Sequence, residues 1–297
     1  MNVLISGASG LVGRALTASL RSDGHQVRRL VRRQPVASDA AFWDPAAGVL
    51  AEDALDGIDG VVHLAGENIA GGRWTRAFKQ RVLDSRVAGT RLISEAVASC
   101  DVPPTLISAS AIGFYGDRGA QRVDEDAPSG EGFLAEVCRQ WEAATQPAED
   151  AGARVVKLRI GVVLSTEGGA LQRMLTPFKF GLGGVVGNGR QVVSWIHLID
   201  LVAAIEVALE DPELSGPVNA VAPEPVTQRE LARTLGRVLG RPTLAPLPAI
   251  AVRMIFGEMG QELLLASTRV APKRLEATAF PFRFETLEPA LRHELGS

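Results

Sequence analysis

Apolar positions in the first half of the chain fall into short uninterrupted runs, separated by longer stretches with helical spacing. "NVLIS" has strand length and stops at "GASG"; "LVGRALTASLRSDGH" then places Leu11, Ala15, Leu16 and Leu20 on one face before Gly24 ends the pattern. The same alternation predicts strands at "QVRRLV", "GVVHLAG" and "TLISAS" and a long amphipathic helix at "RVLDSRVAGTRLISEAVASC". It also predicts one helix through "FLAEVCRQWEAATQPAEDAG" and one strand through "RVVKLRIGVVL". Short apolar strands alternating with helices predict an α/β fold, a doubly wound parallel sheet with helices on both faces. After about residue 165 the texture changes to the glycine-rich "GLGGVVGNGRQ", the helical "TQRELARTLGRVLGRP" and a proline-punctuated tail. The expected division is a main domain over 1–165, joined again by 192–222, and a smaller C-terminal lobe from 166–191 and 223–297. The sequence carries no internal repeat and no low-complexity tract.

Composition narrows the class of function. With 297 residues, 46% of them apolar and 22% charged, the chain can bury one large core or a core with a smaller lobe. A net charge of −3, from 31 basic and 34 acidic residues, argues against a nucleic-acid surface and against a membrane-facing basic face. No apolar run approaches the roughly 20 residues that span a bilayer. Met1 leads into "NVLISG" without the regions of a signal peptide, so a cytoplasmic protein is expected. Cys100 and Cys138 fall in helical segments without metal-ligand spacing, which predicts reduced thiols and no metal site.

The first chemistry lies in "GASGLVG". Gly7, Gly10 and Gly13 stand between a strand and a helix, where backbone N–H groups can approach a pyrophosphate and the helix N-terminus adds positive charge; a tight turn without a ligand is the alternative. This is the Rossmann arrangement. A ribose 2′-hydroxyl is usually met by an acid at the end of the second strand, a 2′-phosphate by arginine. The sequence there reads "VRRLVRRQP", which puts Arg32 or Arg33 at the strand end and no carboxylate beside them. That favours NADP over NAD, against a merely solvated basic strand end that also includes Arg28 and Arg29.

Further segments carry a resemblance. "HLAG" at 63–66, "SASAIGFYG" after the fourth main strand, "RIGVVL" at 159–164, "SWIHLIDL" at 194–201 and "GPVNAVAP" at 216–223 resemble the extended short-chain dehydrogenase/reductases of the epimerase and dehydratase type. "AGENI", "RW", "SR" before "GT", "WE", "GLGG" and "SWIH", in this order, are similar to its atypical branch of epimerase family proteins, the YfcH-like and SDR39U-type members. The resemblance covers essentially the whole chain. It implies a Rossmann domain with bound NADP(H) and a substrate-binding smaller lobe. On the cofactor side it points to Gly7, Gly10, Leu11, Val12 and Gly13, to Arg32 and Arg33, to Leu64, Ala65 and Glu67, and to Arg86, Ala109 and Val162.

Departures from the wider family matter for the reaction. Its members carry Tyr-x-x-x-Lys on the helix after the serine strand; here Phe133 and Val137 have that spacing and neither has usable chemistry. Tyr115, the one tyrosine of the chain, lies in a loop-like stretch with Gly119 four residues on, and fits either a pocket wall or a proton donor. Ser110 matches the hydroxyl that meets a reacting carbonyl, or else caps backbone at a strand end. Glu67 and Asn68 follow "HLAG", with Glu67 read as a ribose ligand and Asn68 as facing substrate. Arg86 stands where the wider family has asparagine and would reach cofactor phosphates or ribose; a surface arginine is the alternative. Trp195 offers an apolar face to a ligand, whereas His197 and Asp200 suit either the substrate side or hydrogen bonding between lobes. His63 reads as a satisfied core histidine, and "GLGGVVGNGRQ" as either a flap bringing Arg190 or Gln191 to a ligand or a plain connector.

Two functions fit. One is an NADP-dependent oxidoreductase or epimerase-like enzyme on a carbonyl or sugar-like small molecule, with proton transfer by Ser110, Tyr115 or water. The other is a redox sensor or scaffold that binds NADP(H) without turnover. No nucleic acid or membrane partner is expected. The resemblance implies a homodimer pairing through helices at about 75–98 and 131–150; Arg91 and Glu142 on those helices suit a solvated surface equally well, which leaves a monomer open.

Overall fold

The computed structural model describes residues 1–35 and 37–296. They form two compact units. The first, the sheet unit, comprises Met1–Ser110, Val137–Arg159 and Val202–Val218; the second comprises Ala111–Glu136, Ile160–Leu201 and Asn219–Ser297. The 192–222 segment is therefore shared out: residues 202–218 go with the sheet unit and its two flanks with the second unit, as does the stretch 111–136.

The sheet unit starts with β1 (Asn2–Ser6), α1 (Leu11–Ser22), β2 (Gln26–Val31), β3 (Ala40–Asp44), β4 (Val49–Leu50), β5 (Gly60–His63), α2 (Arg76–Ala98) and β6 (Thr105–Ala111). Its eight-stranded sheet runs Gly216–Ala220, Val155–Ile160, β6, β5, β1, β2, β3, β4. β1 pairs in parallel with β2 and β5, and β5 with β6, as expected for strands read as unbroken apolar runs. Val3, Leu4 and Ile5 of β1 are wholly buried. β4 is antiparallel to β3, an edge that the apolar pattern did not announce. Thr75 caps α2 by accepting from the Phe78 N–H, whereas α1 starts at Gly10 with no side-chain cap. At the other end of the sheet, Arg154 donates to the carbonyls of Ala208, Leu209 and Leu214, satisfying acceptors that a helix C-terminus leaves open.

Two predicted elements are each divided. The expected helix from Phe133 onward is α3 (Phe133–Ala143) followed by a separate turn of helix, Gln146–Asp150. Pro147 lacks the N–H that continuation needs, and the Ser94 hydroxyl of α2 steadies the break by donating to the Thr145 carbonyl and accepting from the Ala148 N–H. The expected strand through residues 154–164 is Val155–Ile160 and Val162–Leu164, broken at Gly161. A Cβ on Gly161 would lie 2.8 Å from Val221 and 2.9 Å from the Ser194 carbonyl, so only glycine lets the chain step from one pairing to another there.

In the second unit Val162–Leu164 pairs in parallel with Trp195–His197, register Val162 to Trp195. Its core gathers Leu164, Leu171, Phe178, Trp195, Leu235 and Leu291 from helices Gly169–Lys179, Gln228–Val238 and Leu287–Leu295 and the strands beside them. A capping box, Thr227 with Glu230, starts the middle helix. A smaller cluster packs Tyr115 with Val123, Val221 and Val270. Among the described residues, no helix is long and apolar enough to cross a membrane, and no group of three or more His, Cys, Asp or Glu could hold a metal ion.

Candidate functional site

Register brings the predicted cofactor residues to one edge of the sheet. Ser6 pairs with Leu30 and with His63, and His63 with Ser108, so β1 and β5 end level, β2 runs one residue further and β6 three. At and just beyond that level lie Gly7, Arg32, Leu64 to Glu67, and Ser110 near the end of β6. This is the carboxyl edge at which open α/β sheets take ligands.

Each glycine of the first turn has its own reason. Gly7 has φ +72°, and a Cβ there would lie 2.9 Å from the Ala65 nitrogen. Gly13 is buried in α1, and its Cβ would stand 2.3 Å from the Gly7 carbonyl. Gly10 differs: φ is −73°, open to any residue, and the nearest atom to its Cβ is the Gly7 oxygen at 3.2 Å. Turn geometry demands the outer two glycines, whereas Gly10 keeps the uncapped N-terminus of α1 clear for a group arriving from outside.

Below the turn, Ser6 and His63 tie strand ends together. The Ser6 hydroxyl accepts from the N–H groups of Leu64 and Ala65 and shares a 2.6 Å hydrogen bond with His63 Nδ1, while His63 Nε2 is buried with no hydrogen-bond partner among the described residues. His63 is wholly buried; burial first, then the Arg86 charge, pushes its pKa down to about 3. Arg86 reaches back from α2. Its Nη1 donates to the carbonyls of Glu67 and Val82, and its guanidinium lies 4.9 Å from the centre of the Trp141 ring. Nε and Nη2 have no hydrogen-bond partner among the described residues. Burial pushes the Arg86 pKa down, while Cys138 and Glu67 raise it. Glu67 and Asn68 are exposed; Leu11, Val12, Leu64 and Ala65 are half-buried; Ala109 is buried in β6.

The four arginines of the second strand separate into two pairs. Arg28 pairs with Asp53 at 2.7 Å, and Arg29 with Asp39 at 2.7 Å. Arg32 and Arg33 follow the last strand residue, are exposed and have no ion pair among the described residues.

Ser110 is buried, and its hydroxyl donates to Glu142 Oε1 at 2.7 Å. Arg159 holds both oxygens of the same carboxylate, Nε to Oε1 and Nη2 to Oε2, each at 2.8 Å. Glu142 is therefore no surface residue, as its place on an amphipathic helix suggested; it is the buried centre of a Ser–Glu–Arg set. Sequence reasoning missed the pair. The available signals were a lone arginine inside the apolar run "VVKLRIGVVL" and an acid on the apolar face of α3.

The remaining candidates belong to the second unit, each engaged within it. Tyr115 ends a short 3₁₀ turn, Ile112–Tyr115, in place of the expected loop. Its ring is wholly buried, and its hydroxyl donates to Asn219 Oδ1 at 2.7 Å. Asn219 in turn donates to the Ala271 carbonyl and takes Glu125 on its N–H. Trp195 is wholly buried and donates to the Glu224 carbonyl, so its face meets the core. Val162, its register partner, is half-buried. His197 accepts from the Ile199 N–H and lies 3.1 Å from Glu294, without hydrogen-bond alignment at Nε2. Burial, then His293 and Arg283, push it down to about 4, although the Glu294 carboxylate acts in the opposite direction. Asp200 accepts from the N–H groups of Arg283 and Phe284, pinning the last segment of the chain within this unit.

Nor is the glycine-rich loop a flap. A Cβ on Gly184 would stand 2.0 Å from the Ala245 carbonyl, and one on Gly183 2.5 Å from the Phe178 ring. Gln191 is buried and donates to Val186 and Leu264, while Arg190 stays exposed. One further residue had no local signal: Glu262, in Gln261–Leu265, accepts from the N–H groups of Phe133 and Leu134 and so caps α3 from far along the chain.

Comparison with known proteins agrees with this architecture. The profile of the "NAD dependent epimerase/dehydratase family" matches residues 3–221, and that of "Domain of unknown function (DUF1731)" matches residues 247–294. Epimerase family protein Mb2239 of Mycobacterium bovis is 49% identical over 97% of this chain and 96% of its own. A crystal structure of human epimerase family protein SDR39U1 with NADPH superposes with a TM-score of 0.91 at 36% identity, covering 100% of both chains. A nucleoside-diphosphate sugar epimerase from Corynebacterium glutamicum gives 0.84 at 42% identity, covering 100% of this chain and 58% of that one. On the family match and on relatives aligned almost end to end, the chain belongs to the NAD dependent epimerase/dehydratase family.

Proposed function

We propose that this chain is an NADP(H)-binding oxidoreductase or epimerase-like enzyme acting on a carbonyl or sugar-like small molecule. The observation that carries the cofactor choice is the contrast at β2. Arg28 and Arg29 are neutralised by Asp53 and Asp39, while Arg32 and Arg33 stand exposed at the level of the glycine turn without an acid. A 2′-phosphate is the complement of that pair. The NADPH in the crystal structure of the human relative supports the same reading.

The residues at the sheet edge have separable tasks in this proposal. Gly10 leaves room for a pyrophosphate at the α1 N-terminus. Arg86 turns its free Nε and Nη2 toward a phosphate or ribose oxygen, and Glu67 takes ribose hydroxyls. Leu11, Val12, Leu64, Ala65 and Ala109 supply apolar walls. The nicotinamide, when bound, supplies or accepts the hydride. Ser110 keeps its proton on Glu142, and its lone pairs then accept a hydrogen bond from a substrate hydroxyl; donating to a carbonyl requires the hydroxyl to turn away from Glu142. Arg159 keeps that carboxylate satisfied in either case.

A second reading rests on a specific observation. The protons of both candidate donors, Ser110 and Tyr115, are held by protein acceptors, Glu142 and Asn219. That arrangement, with no Tyr-x-x-x-Lys, also fits an NADP(H)-binding sensor or scaffold without turnover. Titration with NADPH and NADH, followed by a carbonyl-substrate screen read by NADPH oxidation, separates the two. Arg32→Ala is expected to lose about 1.5–3 kcal/mol of NADPH affinity and little of the weaker NADH affinity. Equal losses for both nucleotides would remove the 2′-phosphate assignment. Turnover that Ser110→Ala abolishes with NADPH affinity intact supports the enzyme, and tight binding with no turnover on any substrate supports the sensor.

A further inference from the structure

Large apolar side chains are exposed along one continuous stretch of the second unit. Phe180 and Leu182 lie just after helix Gly169–Lys179, Leu244 lies before Pro248, and Ile250, Met254 and Ile255 lie on helix Ala249–Gly260. Phe180, Leu244 and Met254 are 78%, 81% and 80% exposed. Hydrogen bonds lace the two loops together: Ala245 N–H to the Gly183 carbonyl, Leu247 to Val185, and Gly187 to Leu247. The helix begins directly after Pro248, so the six residues share one firmly built face. Single exposed apolar residues need no explanation, whereas a grouped set marks a surface that meets something.

Charge says what it meets. Residues 168–199 and 231–260, which contain the entire face, hold seven Lys or Arg, of which Arg237 pairs with Glu288, and one acid, Glu258, in a chain whose net charge is −3. Lys179 adjoins Phe180, Arg241 lies three residues before Leu244, and Arg253 adjoins Met254. None of the three has an acidic partner among the described residues; Arg253 donates to the neutral Gln261 amide. A second copy docked on this face would set these cations against their own kind. Anionic headgroups would meet them while the apolar side chains enter the headgroup boundary, the combination used by proteins that lie on a bilayer without crossing it. We propose that this face docks on an anionic lipid bilayer surface.

The test uses the full-length chain in flotation with vesicles of phosphatidylcholine alone and of phosphatidylcholine with phosphatidylglycerol. Flotation is expected with the anionic vesicles only, weakened by about 0.5 M salt. Leu244→Ser with Met254→Ser, and separately Lys179→Glu with Arg253→Glu, should each reduce it by about tenfold or more. Both pairs are exposed, so the thermal melt and NADPH titration should stay as in the parent chain. Equal flotation with neutral vesicles, no flotation with anionic ones, or full flotation by either double variant would overturn the proposal. So would a dimer in solution that the Leu244→Ser, Met254→Ser pair turns into monomer, since a second copy would then cover the face. Binding of polyglutamate without any flotation would assign it to an acidic protein instead.

Discussion

The chain has two glycine-rich stretches, "GASGLVG" at 7–13 and "GLGGVVGNG" at 181–189, and they use glycine for different ends. In the second, Gly183 and Gly184 are pressed against Phe178 and Ala245, so glycine serves packing inside the protein. In the first, Gly7 and Gly13 do the same against Leu64, Ala65 and the turn itself, whereas a Cβ on Gly10 would meet only the turn's own Gly7 carbonyl, at 3.2 Å. Glycine content alone therefore says little about mobility or ligands. The informative residue is Gly10, whose backbone conformation any residue could adopt and whose one close neighbour is a carbonyl of the same turn.

The comparison can be broken at its tightest points first. Gly184→Ala and Gly13→Ala each force a Cβ into a backbone oxygen, and each should cost about 3 kcal/mol in urea unfolding; a silent Gly184→Ala would restore the flap reading. Next comes acid. His63 is neutral when folded, down to about pH 3, and protonates near 6.5 when unfolded, so the unfolded chain binds more protons between those values. Stability should fall as pH drops below about 6.5, by up to about 1.4 kcal/mol per unit from His63, and His63→Gln should flatten that slope. His197 in the second unit, pushed down only to about 4, should contribute over a narrower range, between about pH 6.5 and 4. Gly10→Ala sharpens the contrast from the other side: NADPH affinity should fall about tenfold, near 1.4 kcal/mol, while the melt barely moves. The smallest effect belongs to Gly181→Ala, where φ is +71° and the nearest atom to the new Cβ is 3.9 Å away; about 1 kcal/mol of backbone strain is expected.

Local pattern carried β1, β2, β5, β6, α1 and the glycine turn, though not β3 or β4, because a buried parallel strand has to be apolar along its length and a helix has to be apolar on one face. It failed where a distant residue decided. Ser94 on α2 takes the Thr145 carbonyl and allows the break before Pro147, and Glu262 caps α3 from 129 residues away. Ser110 illustrates the same limit at the site, since its position was legible and its Glu142 partner was not. Tyr115 read as a wall in preference to a donor, and the burial of its ring and the Asn219 contact are what the pattern could not supply. Net charge is a sum over the chain and does not show where its charges gather: residues 231–257 hold four Arg before the first acid, Glu258.

The division of the chain between the units bears on how the molecule is made. The chain crosses from one unit to the other five times, after residues 110, 136, 159, 201 and 218. Gly216–Ala220 is the outermost strand of the sheet that begins at Asn2, so during synthesis the sheet stays one strand short until residue 220 has left the ribosome. The second unit waits longer still, for Glu294 to reach His197 and Thr166. A nascent chain stalled before residue 220 thus holds two unfinished cores at once, and one stalled later but before its last helix still lacks the contacts that close the second unit.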